Sequence, residues 1–363
     1  MNSQSESSEL TTSGIGLPSW TRVWFTRLGY SVIPLLIALM ITGSLLLMMG
    51  VNPLAYYGYI VRKGLLTPSG LDATLTRMGP LLLIAASLIV AFRAGLWNLG
   101  GDGQFLLGAV TSAAVAPALI NWGVPVWLTL IVAMAAAALV GGIWSLLPGM
   151  LKAWQNINEI ITTMMMSFLG ISLANVLVKL VFTDPTTSVP QTRTLQWEDR
   201  LPMLFGSNIS SGVIIGLVAI LTVHWMMTRT AFGLQLRVVG ANPQAAIHAG
   251  IPVSLLTLAV FALSAALAGM GGAVEIMGVQ GNVRADWNPA YGLVVVPLVF
   301  LARFNGFGTL AFVFLFSMLS TGSESAARRM DIPNHFTLVT VAVLMLVLGL
   351  TEAFIQYQRQ KRG

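Results

Sequence analysis

The sequence predicts an all-α polytopic membrane protein of about ten transmembrane helices. Three observations predict it. Of 363 residues, 56% are hydrophobic and only 9% are charged, where soluble chains carry about 25% charged residues. The charges are spaced so that apolar windows of helix-spanning length lie between them, about 20 residues being what a bilayer core requires. Turn-forming clusters fall between the windows rather than inside them.

In chain order, residues 1–28 read as a cytosolic tail. The first nineteen are Ser/Thr-rich with two acids, and they lack the basic n-region of a signal peptide. Charge-free windows follow between Arg27 and Arg62, Glu159 and Lys179, Arg200 and Arg229, Arg237 and Glu275, Arg303 and Glu324, and Asp331 and Glu352. Between Asp102 and Lys152 nothing is charged, and Asn121-Trp122-Gly123-Val124-Pro125 supplies a turn that divides this window into two helices. The windows Arg77–Arg93 and Asp286–Arg303 are short. Each gives roughly 22–24 Å of helix, so either the arginines snorkel to the headgroups or these helices are broken or re-entrant. Counting both, the transmembrane domain covers 29–356, and a basic tail, 357–363, closes the chain. With the N-terminus inside, ten crossings return that tail to the cytosol, together with the segment 229–251. Two long loops, about 52–78 and 183–208, then face outward, either as landing surfaces or as plugs over the bundle end.

The segment Arg229–Ile251 interrupts this apolar pattern with a compact element. Asn242 suits a helix N-cap, Pro243 the first helical position, and Gly250 a left-handed terminus. A helix from about Pro243 to Ala249 follows. So short a helix is not stable alone, so it is expected to lie between its own membrane domain and a partner protein.

Other features exclude function classes. The net charge of +6 is scattered among loops rather than gathered on one face, so no nucleic-acid partner is indicated. There is no cysteine, hence no disulfide framework or thiolate metal site. His224, His248 and His335 are far apart in sequence and show no zinc-binding spacing. No phosphate-binding loop is present, and Gly101-Asp102-Gly103 lacks the remaining glycine of a dinucleotide fingerprint. The chain therefore hydrolyses no nucleotide, and no constellation supports an enzyme. Tryptophans near span ends, such as Trp20, Trp122, Trp154 and Trp197, read as an interfacial belt. Ser264, Ala268 and Gly272 share a helix face, with Ala265, Gly269 and Ala273 beside it, as tight packing within the chain or a dimer seam requires.

Four stretches in order, FRAGLWNLGGDGQ at 92–104, NEIITTMM at 158–165, GANPQAA at 240–246 with Gly250 and Ile251, and SAALAGMGG at 264–272, resemble the permease subunits of bacterial ABC importers. The resemblance covers roughly residues 30–355. Within the ribose and branched-chain amino acid permease class, the run Asn98–Gln104 most resembles the nucleoside, or basic-membrane-protein, branch. VVVPLVFLARFNG at 294–306 departs from the Ala/Gly-rich run usual there.

The resemblance implies a type II ABC importer permease architecture in a bacterial plasma membrane. It implies a cytosolic ABC ATPase, which would hold ATP and Mg, a second homologous permease subunit and an extracytoplasmic substrate-binding protein. It assigns coupling to the ATPase to Arg237, Gly240, Asn242, Pro243, Gln244, Ala245, Ala246 and Gly250. A nucleoside is the first expectation for the solute and a simple sugar the alternative. An ion-coupled secondary transporter is a more distant rival, opposed by the lack of repeated intramembrane acids.

Residues for the translocation path come from polar groups in apolar surroundings. Asn98, Asp102 and Gln104 stand at a helix break, where they either bond a solute or cap and satisfy the broken helix. Asn158 and Glu159 open an apolar run, as path residues or as a helix start. Glu275, near a span end, either lines the path, pairs with a cation such as Arg284, or sits at the interface in water.

Overall fold

A computed structural model describes residues 36–204 and 206–330, and beyond them 332, 333, 336, 338–340, 342, 343, 346, 347, 349–351 and 354. The expected tails at 1–28 and 357–363 lie outside the described residues. The chain forms two units, one made of residues up to Val51 and from Leu338 onward, the other of Asn52–Thr337. In the first, α1 (Leu36–Met48) buries Ala38 against Val347, with Val343 alongside. The Thr42 hydroxyl donates back to the Ala38 carbonyl at 2.8 Å, which satisfies it within its own helix.

The second unit is helical throughout: α2 (Pro53–Val61), α3 (Pro68–Arg93), α4 (Gly101–Asn121), α5 (Val126–Trp144), α6 (Leu146–Gln155), α7 (Glu159–Val176), α8 (Gly212–Arg229), α9 (Ala231–Ala241), α10 (Pro243–His248), α11 (Val253–Glu275), α12 (Tyr291–Leu301) and α13 (Gly306–Met330). Single π-turns follow α2, α7 and α11. Among the described residues, seven helices, counting α5 and α6 together, are long and apolar enough to cross a membrane. About ten crossings were expected. The difference lies in α1 and α12, which are shorter, and in the window 331–352, which is only partly described.

Two helices form the centre. α3 is buried along most of its length, and α11 packs against α3, α4 and α5. The small residues make this possible. A Cβ on Gly272 would fall on the Phe105 carbonyl of α4, one on Gly108 on the Gly269 carbonyl, and one on Gly141 2.5 Å from the Ala265 carbonyl. The face read from Ser264 to Ala273 is thus consumed inside the chain, where close backbone approach replaces the hydrophobic drive that lipid removes.

The turn at 121–125 ends α4 and starts α5 where expected. Two other expectations change. Residues 52–78 are no loop: Asn52 caps α2 by accepting from Leu54 N at 2.9 Å and Ala55 N at 3.3 Å, and α3 begins at Pro68. The short window Arg77–Arg93 belongs to a full-length helix that runs through Arg77, because Arg77 has a carboxylate partner inside the bundle and needs no headgroup. The other short window holds an 11-residue half-helix, α12. Left-handed residues bracket it, Ala290 (φ 54°) before and Arg303 and Phe304 (φ 52° and 58°) after. Non-glycine residues rarely adopt that region, so both ends of α12 are sharply set.

The long segment 183–208 is fastened to the stretch after α11. Thr192 N donates to the Val283 carbonyl, Leu195 N to Gly281 and Leu201 N to Met277, at 2.9, 2.9 and 3.0 Å. It covers that end of the unit.

Candidate functional site

At one end of the second unit, α9 and α10 form an arm outside the apolar bundle. Thr230 caps α9 through Gly233 N at 3.2 Å, and Gly233, Leu236 and Val239 make its buried stripe. Asn242 then ends α9 and caps α10, its side chain accepting from Ala245 N at 3.0 Å. Pro243 sits at the first position, and Gly250 closes the turn at φ 76°. Capping chemistry accordingly puts this helix within one residue of its expected bounds.

Its faces differ. Ala246 is fully buried against the chain itself, whereas Gln244, Ala245, Ile247 and His248 are exposed. Arg237 is exposed on α9, and its guanidinium Nε donates to Gly233 O at 3.4 Å. Gly240 packs on the backbone at the end of α3: a Cβ there would lie 2.9 Å from Arg93 O and the Ala94 carbonyl carbon. Opposite it, Gly95 adopts φ 70°, which favours glycine.

From that contact a chain of interactions leads to α12. Arg93 Nη2 donates to the Phe304 carbonyl at 3.1 Å, and Phe92 rests against Phe300, centroids 4.8 Å apart, and Trp97, 5.1 Å apart. His224 of α8 accepts from Gly306 N at 3.2 Å. The loop after α12 is therefore held from α3 and α8 at the level of the arm.

The path residues expected from sequence do not converge. Asn158 is exposed and caps α7 through Ile160 N at 2.9 Å, while Glu159 pairs with Lys152 at 2.9 Å. Both lie at the arm end, since Ser254 at the start of α11 bonds Ala153. Further in, Asn98 and Gln104 bond each other twice, at 3.0 and 3.1 Å, and Asn98 also donates to Ser264 at 2.9 Å. Asp102 accepts from Gly292 N at 2.6 Å, which caps α12 rather than its own helix. These three side chains are buried and bonded to protein, so they fix the helix break.

Glu275 lies a further ~16 Å along α11 from Ser264 at 1.5 Å per residue. It is buried at 1% exposure. One oxygen accepts from Gln280 at 3.1 Å, and the other has no partner among the described residues. No ion pair joins it to Arg284. Its charged neighbours are Arg77 and Glu324, which form a fork: Arg77 Nη1 and Nη2 donate to Glu324 Oε1 and Oε2 at 2.6 and 3.0 Å, and Nη1 also to Ser320 at 2.7 Å.

That fork stands in the wall of a cavity of about 1010 Å³. The cavity lies between the first turns of α3 and α5, the segment before α8, the turn after α11 and the last turns of α13. It is at the end away from the arm, Arg77 being about 24 Å along α3 from Arg93. Trp127 and Trp197 are exposed in its lining. Arg200 lies 4.4 Å over the Trp197 ring and donates to Leu195 O at 3.0 Å; its burial lowers its pKa from the ordinary arginine value. Sequence reading missed this cavity because its residues come from five separated segments, and it assigned Trp197 to an interfacial belt.

A helical bundle with a capped, exposed helix at one end and a chamber carrying charged and aromatic side chains at the other fits the membrane-embedded part of a solute transporter. The chain belongs to the family described as branched-chain amino acid transport system / permease component, which matches residues 70–348. It is 30% identical over 354 residues to a glucose ABC transporter permease protein of Haloferax volcanii, covering 94% of this chain and 91% of that one. A nucleoside ABC transporter permease protein of Lactococcus lactis subsp. cremoris is 26% identical over 326 residues, covering 87% and 89%. A guanosine ABC transporter permease protein of Bacillus subtilis is 26% identical over 297 residues, covering 80% and 84%. No solved structure matches the chain. It is therefore a multi-pass permease subunit of an ATP-driven importer, a transport component rather than an enzyme. A permease subunit of this kind works with an ATPase and a binding protein.

Proposed function

We propose that this permease carries nucleosides inward across a bacterial plasma membrane and takes its mechanical drive through α10. The observation that carries the coupling reading is the division of α10 into an anchored face at Ala246 and a free face at Gln244, Ala245 and Ile247. A six-residue helix is too short to persist without neighbours on both sides. The domain supplies one neighbour, and a cytosolic ATPase holding ATP and Mg supplies the other. Arg237, Gly240, Asn242, Pro243 and Gly250 shape and place the helix, and Gly240 passes its displacement to the end of α3. From there Arg93 and the Phe92 rings reach the loop after α12, a half-helix whose movement would alternate access. A second homologous permease completes the membrane domain, and an extracytoplasmic binding protein delivers the solute.

The nucleoside assignment is supported by the likeness to two permeases named for nucleosides and guanosine. A simple sugar is the second reading, favoured by the 30% identity to the glucose permease. Uptake of labelled uridine, guanosine, ribose and glucose by cells with and without the gene tests the choice. Nucleoside uptake that depends on this chain is expected; uptake of glucose alone would overturn it. Purification from native membrane in mild detergent should recover an ATPase with the wild-type chain and lose it with Ile247→Glu. Equal recovery from both would sink the coupling assignment.

A further inference from the structure

The cavity between α3, α5, α8, α11 and α13 is lined by charged, polar and aromatic side chains, some of which also tie its walls together. Its volume, about 1010 Å³, is at the upper end of ordinary small-molecule sites, roughly 300–1,000 Å³. Its charged lining comprises four basic and three acidic residues, so the chamber is close to neutral and suits an uncharged polar solute better than an anion. Two of those charges, Arg77 and Glu324, already neutralise each other through the fork.

Within it, two kinds of group stand apart. Trp197 is 68% exposed, with Arg200 4.4 Å over one face of its ring. The ring is thus mostly uncovered, and Trp127 is exposed in the same lining. The second kind is polar. The Glu324 side chain remains 44% exposed despite its ion pair, leaving acceptor positions open to the chamber.

We propose that this chamber is a nucleoside site on the permease itself. The base stacks on the exposed Trp197 ring, and the ribose hydroxyls donate to Glu324. A flat π face joined to a vicinal diol meets both parts of the lining; a simple sugar has no heteroaromatic base for the Trp197 ring. The proposal rests on the nucleoside reading above. It gives the permease an affinity that delivery by a binding protein does not require.

The test is equilibrium dialysis of tritiated uridine against the purified permease–ATPase complex, without the binding protein. Saturable binding is expected from the wild type. Trp197→Ala should weaken it by roughly five- to 150-fold, the range seen when an aromatic platform is removed from under a base. Trp197→Phe should retain most of it. Trp197 is exposed, so these variants should assemble with the ATPase as the wild type does, which gel filtration checks. A wild-type complex that transports uridine once the binding protein is restored, yet binds none alone, overturns the chamber and leaves the nucleoside reading standing. Unchanged affinity in Trp197→Ala does the same. A complex that transports glucose and not uridine overturns both.

Discussion

Gly272 is where packing in this protein is least able to yield, and Gly272→Ala tests that quantitatively. A Cβ at this position of α11 would fall on the carbonyl oxygen of Phe105, and it would lie 2.7 Å from Ala109 N and 3.0 Å from the Phe105 carbonyl carbon. Ordinary contact begins near 3.4 Å, so at Ala109 alone α11 must retreat from α4 by about 0.7 Å. No free direction exists. On another side Gly269 meets the Ala137 carbonyl of α5, and Gly271 faces Pro80 O of α3. Forcing extra atoms into such a site costs about 1–3 kcal/mol. The better helix propensity of alanine returns about 1 kcal/mol at most. Gly58 supplies the control: it is exposed on α2 and has nothing within 4 Å of the built Cβ. Gly58→Ala should therefore keep or raise the thermal midpoint of the purified protein in detergent, while Gly272→Ala lowers it and Gly272→Leu prevents recovery of folded protein. A Gly272→Ala protein as stable as Gly58→Ala would refute the reading of α4 and α11 as backbones in contact.

Three further tests address the other sites. Asn242→Ala removes the cap that α10 receives at Ala245 N, a loss of about 1 kcal/mol; solute-stimulated ATP hydrolysis in the reconstituted importer should fall, and Asn242→Asp should keep it. Asp102→Ala leaves Gly292 N without its 2.6 Å acceptor, at a cost of about 1–3 kcal/mol, so hydrogen exchange at the start of α12 should quicken while that of α4 stays slow. For the fork, a double-mutant cycle with Arg77→Gln and Glu324→Gln should return a coupling of roughly 1 kcal/mol, because Glu324 is partly solvated. Additive effects would show that the two side chains contribute independently.

Local chemistry was legible in the sequence, and relations between distant segments were not. Asn242, Pro243 and Gly250 located α10 because a cap, a first-position proline and a left-handed glycine act over a few residues. The same signals at Asn52-Pro53 and at Pro68 mark the starts of α2 and α3. Arg62, Lys63 and Arg77 mask them, because charges make the stretch read as a loop. A charge counted along the chain carries its cost only if it lacks a partner, and the partner of Arg77 is 247 residues away. Asp102 shows the same limit from the other side. A carboxylate beside a helix break reads equally well as a solute ligand or as a cap, and the cap it makes is to Gly292, which arrives from 190 residues later. Ala246 is the sharpest case. The motif placed it with Gln244 and Ala245 in one docking set, whereas the fold turns it inward and leaves Ile247, which no motif singled out, exposed at the tip. Which face of a two-turn helix is free depends on how α9 leans on α3, and that lean is set by Gly240 meeting Gly95.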